Sequence, residues 1–286
     1  MSNRLGRAES RIHTLADLRA VTAAMRGIAA ARAREAEARL TGVDRHAAIV
    51  AASIADALAV DSGGPPEFLA ADAAGPPMAI VVLSQGGFVG TLNERVLATA
   101  DAELTRSARI LLLGGHGVRI AAERGLACDW VYSMAANAAL VPALAREVAR
   151  QVLGEAARSP PSRLVVIHAE SRAGGQLDVA TRLLLPFDFS RFGRASAATL
   201  PRLQIPLEQL LAALVAQFLH TRIHAALLLG LLAENTARRE AVSAMHGNLD
   251  HKLESAHAEY RSLRQEEITA EILELSGTRH PLRAML

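Results

Sequence analysis

The chain has 286 residues, 51% hydrophobic, 21% charged and 3% aromatic. Its 31 basic and 29 acidic side chains nearly cancel, to +2, and one Trp, two Tyr and six Phe leave little for base-stacking platforms, so composition does not suggest nucleic acid. The length suits one large domain or two ordinary ones, with enough core for autonomous folding.

No proline occurs from Met1 to Gly64, and residues 7–60 are rich in Ala, Arg, Glu and Leu, all strong helix formers, with Gly27 and Gly42 against them. A long N-terminal helix over 1–62 is expected. Ile12, Leu15, Leu18, Val21, Met25 and Ile28 advance by three or four residues and are read as one apolar stripe. Clusters at Gly63–Pro66 and Gly75–Pro77 mark the join to a middle region, 77–190. There, Met78–Leu83, Arg109–Leu113 and Leu164–His168 are short continuous apolar runs, with helical segments expected near 93–106, 117–124 and 141–157. Buried strands alternating with helices predict a largely parallel, Rossmann-like α/β domain, with Leu177–Leu185 as an added edge strand. Residues 186–206 make the return to a second proline-free helix over 205–278.

In that helix Leu249, Leu253, Ala256, Tyr260 and Leu263 step by four, three, four and three, the spacing of a coiled-coil seam, and Ile268, Ile272 and Leu275 continue an apolar face. At ~1.5 Å per residue the two terminal helices reach about 80 Å and 110 Å, so each needs a partner along its stripe. Residues 1–45 hold nine Arg and five acids; residues 234–274 hold five basic and nine acidic residues. This complementarity predicts that the two ends pair as an intramolecular antiparallel coiled coil. The fold class is therefore α/β, with a coiled coil of terminal helices and a central Rossmann-like domain.

Candidate chemistry is sparse. Ser84-Gln85-Gly86-Gly87-Phe88-Val89-Gly90 is a glycine-rich turn after the first sheet strand, a place where backbone N–H groups can cradle phosphate. It lacks the Gly-x-Gly-x-x-Gly order, and Gly114-Gly115-His116-Gly117 stands where a ribose-binding acid is expected. A nucleotide- or flavin-binding α/β protein with a helical scaffold arm is nonetheless the alternative this loop keeps open. His220 and His224 have the spacing of two metal ligands on one helix face, but Thr221 replaces a catalytic glutamate and no third ligand is evident; solvent-facing or satisfied histidines are the plainer reading. His168 and Glu170 at a strand end form a possible acid–base pair, against the simpler reading of a loop. Cys128 is the one cysteine, so neither an internal disulfide nor a multi-cysteine zinc site is available. No catalytic residues, cofactor or metal ligands are assigned.

The terminal segments resemble the gamma (central stalk) subunit of F-type ATP synthases. Val21-Thr22-Ala23-Ala24-Met25-Arg26-Gly27-Ile28-Ala29-Ala30-Ala31 is similar to the family's N-terminal signature, and Ala233-Glu234-Asn235-Thr236-Ala237-Arg238 with Met245 to a later helix. The most specific match is Leu263-Arg264-Gln265-Glu266-Glu267-Ile268-Thr269-Ala270-Glu271-Ile272. Its wording, with the divergent loop at Gln85–Gly90, is also similar to the alternative sodium-type branch. The family usually has an Asp-Arg-Gly-Leu-Cys-Gly-Gly-like stretch at that loop; here Asn93 is retained, while the basic and Cys positions are not.

The resemblance implies a rotor subunit that is not an enzyme by itself, coupling ion flow through the c-ring to conformational cycling of the beta subunits. Its implied partners are the alpha and beta subunits, the epsilon subunit and the c-ring. Arg264, Gln265 and Thr269, with Met25 and Arg26, match positions that contact a beta subunit. The first twenty residues carry Arg4, Arg7, Glu9, Arg11, Asp17 and Arg19, unlike a signal-peptide core. The apolar stretch 203–233 is cut by Glu208 and Arg222 into pieces shorter than the ~20 residues that span a bilayer. The expected location is peripheral, on the cytoplasmic face of the cell inner membrane, through the complex.

Overall fold

A computed structural model describes residues 2–60, 75–105, 107–172, 176–187 and 203–277. The elements run α1 (Ser2–Val60), β1 (Met78–Val82), α2 (Leu92–Glu103), β2 (Arg109–Leu113), α3 (Gly115–Glu123), β3 (Trp130–Tyr132), α4 (Val141–Arg158), β4 (Leu164–Ser171), β5 (Leu177–Leu185) and α5 (Leu207–Gly277). The Gly63–Pro66 cluster, much of the expected return over 186–206 and the last nine residues lie outside the described residues. Two units are distinguished: residues 1–28 with 239–286, and residues 29–238.

In the larger unit a five-stranded sheet has the order β3-β2-β1-β4-β5. β1, β2, β3 and β4 are parallel, and β5 runs antiparallel to β4 at the edge. The central strand β1 is buried at every position, which is why it reads as an unbroken apolar run. Alternate side chains feed two cores. Met78, Ile80 and Val82, with Leu111, Leu113 and Val166, pack with α4 and with residues of α1 and α5. Ala79, Val81 and Leu83, with Leu112 and Ile167, pack with Val96, Leu97 and Ala121 of α2 and α3. Helices on both faces and a reversal of strand order between β1 and β4 make this a doubly wound, Rossmann-like arrangement.

The apolar part of α5 is spent on this sheet. By length and composition α5 passes as a membrane span, yet Leu219, Ile223, Leu227, Leu228 and Leu231 are buried in the sheet's core. β3 is not among the predicted strands, because three residues are too short for periodicity to register. β4 extends to Ser171, so His168 lies inside a strand, paired with Ala180, and not in a loop.

The smaller unit is the antiparallel pairing of the start of α1 with the end of α5. Arg11 Nη1 meets Glu259 Oε2 at 3.4 Å, Arg19 Nε meets Asp250 Oδ1 at 2.5 Å, and Thr22 Oγ1 lies 3.0 Å from His246 Nδ1. Numbers rise along α1 as they fall along α5, the direction that the charge pattern predicts. On α5 the expected seam faces inward: Leu249 and Ala256 are buried, and Leu253, Tyr260 and Leu263 half-buried.

The α1 stripe needs correcting. Ile12, Leu15 and Met25 are half-buried, but Leu18, Val21 and Ile28 are 49%, 55% and 54% exposed. Three successive steps of three residues, from Ile12 to Val21, walk about 180° around a helix of 3.6 residues per turn. The inward positions are instead Ala8, Leu15 and Thr22, seven apart, and the same interval continues in the larger unit through Ala29, Ala36, Val43, Val50 and Ala57. Small residues at this heptad keep the helix axis close to whatever it packs on.

Candidate functional site

At the carboxyl end of β1, where doubly wound sheets bind ligands, the glycine-rich turn Ser84–Gly90 is engaged by the chain itself. Glu234 of α5 accepts hydrogen bonds from the backbone N–H of Gln85 (3.1 Å) and Gly86 (3.2 Å). Arg238, one turn later, ion-pairs with Glu234 and donates from Nε to the Gly87 carbonyl at 3.1 Å. Both side chains are largely buried, at 13% and 5% exposure for Arg238 and Glu234.

The helix can come this close because residue 230 is glycine: a Cβ there would lie 2.7 Å from Val82 Cγ1. Gln85 extends the network, its Oε1 accepting from Gly115 N (3.1 Å) and Met134 N (2.8 Å). The His116 and Gly117 amides at the start of α3 bond to Gln85 and Ser84 carbonyls. Asn93 completes the turn, accepting from Ser84 N at 2.9 Å and donating to Ser84 Oγ at 2.8 Å.

A nucleotide site needs those N–H groups for phosphate. Here Glu234 holds two of them, with its negative charge where a phosphate's would sit. The loop is a fastening between the sheet and α5, and the nucleotide- or flavin-binding alternative is not favoured. Glu234 and Arg238 have no assigned role in the sequence reading; the signal available there was an ionic i, i+4 pair following an apolar helical run.

The other sequence candidates fare as follows. His168 is 1% exposed; burial pushes its pKa down, and Nε2 lies 3.6 Å from Glu170 Oε1, which Arg182 also engages at 3.0 Å. His220 and His224 do share a helix face, with ring centres 6.2 Å apart. Among the described residues no group of three His, Cys, Asp or Glu is placed to hold a metal ion. Cys128 is exposed, with its thiol pKa raised by burial of the sulfur's surroundings and then by Asp129.

Of the implied contact residues, Arg264, Gln265 and Thr269 are exposed on α5, and Thr269 Oγ1 donates to the Gln265 carbonyl at 2.8 Å. Met25 is half-buried and Arg26 exposed on α1. The two sets are not brought together. Thr22, near Met25, pairs with His246, and Arg264 lies 18 positions beyond His246 on the same helix, about 27 Å at ~1.5 Å per residue.

Residues 4–280 match the sequence profile of a family described as ATP synthase. The chain belongs to this family. It is 21% identical over 280 residues to the ATP synthase gamma chain of Bdellovibrio bacteriovorus, covering 93% of this chain and 94% of that one. The gamma chain of Ruegeria pomeroyi is 26% identical over 280 residues, covering 93% and 95%. Among solved structures, a chain from the Euglena gracilis mitochondrial ATP synthase complex of OSCP, F1 and c-ring superposes with a TM-score of 0.64 at 15% identity, covering 99% of this chain and 96% of that one. That likeness establishes the fold. The family match and the two gamma-chain relatives together support a gamma-type subunit.

Proposed function

We infer that this chain is the central rotor stalk of an F-type ATP synthase, a part that makes and breaks no bond but couples ion flow to ATP synthesis or hydrolysis. The observation that carries the reading is the family match from residue 4 to residue 280, which takes in the sheet and both terminal helices. The alpha and beta subunits of the catalytic head, the epsilon subunit and the c-ring are its partners. The subunit is attached to the membrane through that complex, and we place it on the cytoplasmic face of the cell inner membrane.

The mechanism is one of differential contact. A rotor presenting a different face to each beta subunit shifts that subunit's open–closed equilibrium only by binding the two forms unequally. Arg264 offers a planar fork suited to a carboxylate, and Gln265 beside it offers an amide donor and acceptor. Their exposure on α5 supports this role. Met25 and Arg26 supply a second contact, displaced along the coiled coil. α5 runs unbroken from the Glu234 fastening at the sheet to Thr269, a covalent and hydrogen-bonded path along which torque entering the α/β unit reaches the engagement residues.

The test is reconstitution. The chain is expected to purify with alpha and beta subunits in a one-to-three ratio. Arg264→Ala with Gln265→Ala is expected to lower coupled ATPase turnover about tenfold, the effect of ~1.4 kcal/mol, while the isolated chain keeps its helicity. Unchanged turnover would refute the engagement role.

A further inference from the structure

Between α1, the start of α4 and α5 lies a cavity of about 290 Å³ whose polar lining includes Arg39, His46, Gln217, His220 and His224. Gly42 also lines it, and a Cβ built there meets nothing within 4 Å. Both ring nitrogens of His220 are shielded from solvent and have no hydrogen-bond partner among the described residues. Neither nitrogen presents surface to a probe of water's size, so an acceptor that enters the cavity bonds to the ring only after it turns about its Cβ–Cγ bond.

The charges decide which ligand. Arg146 of α4 and His46 of α1 act on His220; Arg39 and His46 of α1, and His220 itself, act on His224. Arg39 and Arg146 are cations, and none of these groups carries a negative charge. Glu35 pairs with Arg39 at 3.3 Å and leaves that guanidinium other donors. His46 Nε2 accepts from Gln217 Nε2 at 2.9 Å, which puts its proton on Nδ1. A metal cation would enter against this field, whereas an anion is drawn by it.

We propose that this cavity binds a small tetrahedral oxyanion of the phosphate or sulfate class, held by Arg39, His220 and His224. Burial, and then the positive neighbours, hold the pKa of both imidazoles below the ordinary histidine value. An anion reverses the second effect, so binding is linked to proton uptake by the rings and is tighter at lower pH.

Sulfate is the discriminating probe, since it remains a dianion across the range and any pH dependence belongs to the protein. Histidine ring resonances of the full chain are followed by NMR during sulfate titration, with chloride holding ionic strength constant. Saturable shifts are expected at His220 and His224 and not at the exposed His13 and His257, with affinity at least tenfold tighter at pH 6 than at pH 8. Arg39→Gln is expected to weaken binding at least tenfold while leaving the circular dichroism spectrum unchanged; His220→Asn should do the same, and Arg39→Gln carries the test if that variant unfolds. Shifts that fail to saturate, or that are equal at His13 and His257, would overturn the proposal. So would zinc chloride saturating the same rings where sulfate does not, since the site would then be one for a cation.

Discussion

Glu234 and Arg238 hold each other and the Ser84–Gly90 turn in an interior with little water, so the two charges are worth far more as a pair than either is alone. Arg238→Ala leaves Glu234 buried and unpaired, which typically costs 3–5 kcal/mol, about a third or more of a normal domain's stability. Urea unfolding should register that loss; a change under 1 kcal/mol would mean the carboxylate reaches solvent on its own. Glu234→Gln keeps one acceptor for the Gln85 and Gly86 amides and is expected to cost less. The loop's glycines were legible as a possible phosphate cradle, but its true occupant lies 148 residues further along the chain. No local pattern ties Gly86 to Glu234. Only the folded sheet brings α5 across the end of β1, and Gly230 marks the point of closest approach.

One buried histidine and two half-buried ones argue for a pH effect of definite sign. His168, His220 and His224 all have lowered pKa values, with burial as the leading cause in each. The unfolded chain, with histidines near 6.5, takes up protons that the folded chain refuses. Their contribution to stability is therefore fully present above about pH 6.5 and is lost as pH falls below it. Urea midpoints measured from pH 8 down to pH 5 in chloride should decline over the acid half of that range. A midpoint that rose towards pH 5 would contradict the assignment of these rings as neutral.

At the scale of the helices, burial is decided by angle and not by size. Val21 and Ile28 are larger and more apolar than Ala8 and Thr22, yet they face solvent while the smaller pair faces α5. Val21→Ser and Ile28→Ser are thus expected to shift stability by no more than about 0.5 kcal/mol in the isolated chain, whereas Leu249→Ala on the facing helix should cost roughly 2–5 kcal/mol. Equal losses at both places would return Val21 to the seam. The α5 seam was readable because its four-three stepping stays on one face and uses Leu and Tyr. The α1 seam was hidden because its heptad is written in Ala and Thr, which carry almost no hydrophobic signal.

Thr22 adds specificity to this pairing. Its hydroxyl donates to the Arg19 carbonyl at 2.8 Å, so the 3.0 Å contact with His246 has the imidazole Nδ1–H as donor. One polar layer inside an apolar seam penalises registers that leave it unmatched. The exposed pairs Arg11–Glu259 and Arg19–Asp250 favour the same register, although each contributes at most about 1 kcal/mol. Ile268 and Ile272 follow on α5 at 47% and 60% exposure, an apolar row that α1 does not cover.

For the whole molecule, the alternation of buried strands with helices, the edge strand Leu177–Leu185 and the pairing of the two chain ends were legible from proline spacing, apolar runs and charge complementarity, whereas the strand order was not. Each of those signals is local or additive along the chain. What lay beyond the sequence is three-dimensional: which helix face turns inward, and what fills the end of the sheet. A rotor needs both answers, since the inward faces hold the coiled coil together and the Glu234 network fixes α5 to the α/β unit. The outward residues, Arg264 and Gln265 among them, are then available to push on a neighbour.

Cys128 supplies the handle for the decisive measurement. It is the single cysteine of the sequence and is exposed, in the irregular segment before β3 in the α/β unit, away from the engagement residues in sequence. A bead or gold particle attached there, with the complex of this chain and its alpha and beta subunits fixed to a surface through the head, reports the orientation of the chain directly. On addition of ATP the particle is expected to turn in one direction in discrete steps, and the Arg264→Ala, Gln265→Ala variant to slow it about tenfold. A particle that stays at a fixed angle while the same complexes hydrolyse ATP would contradict the rotor account.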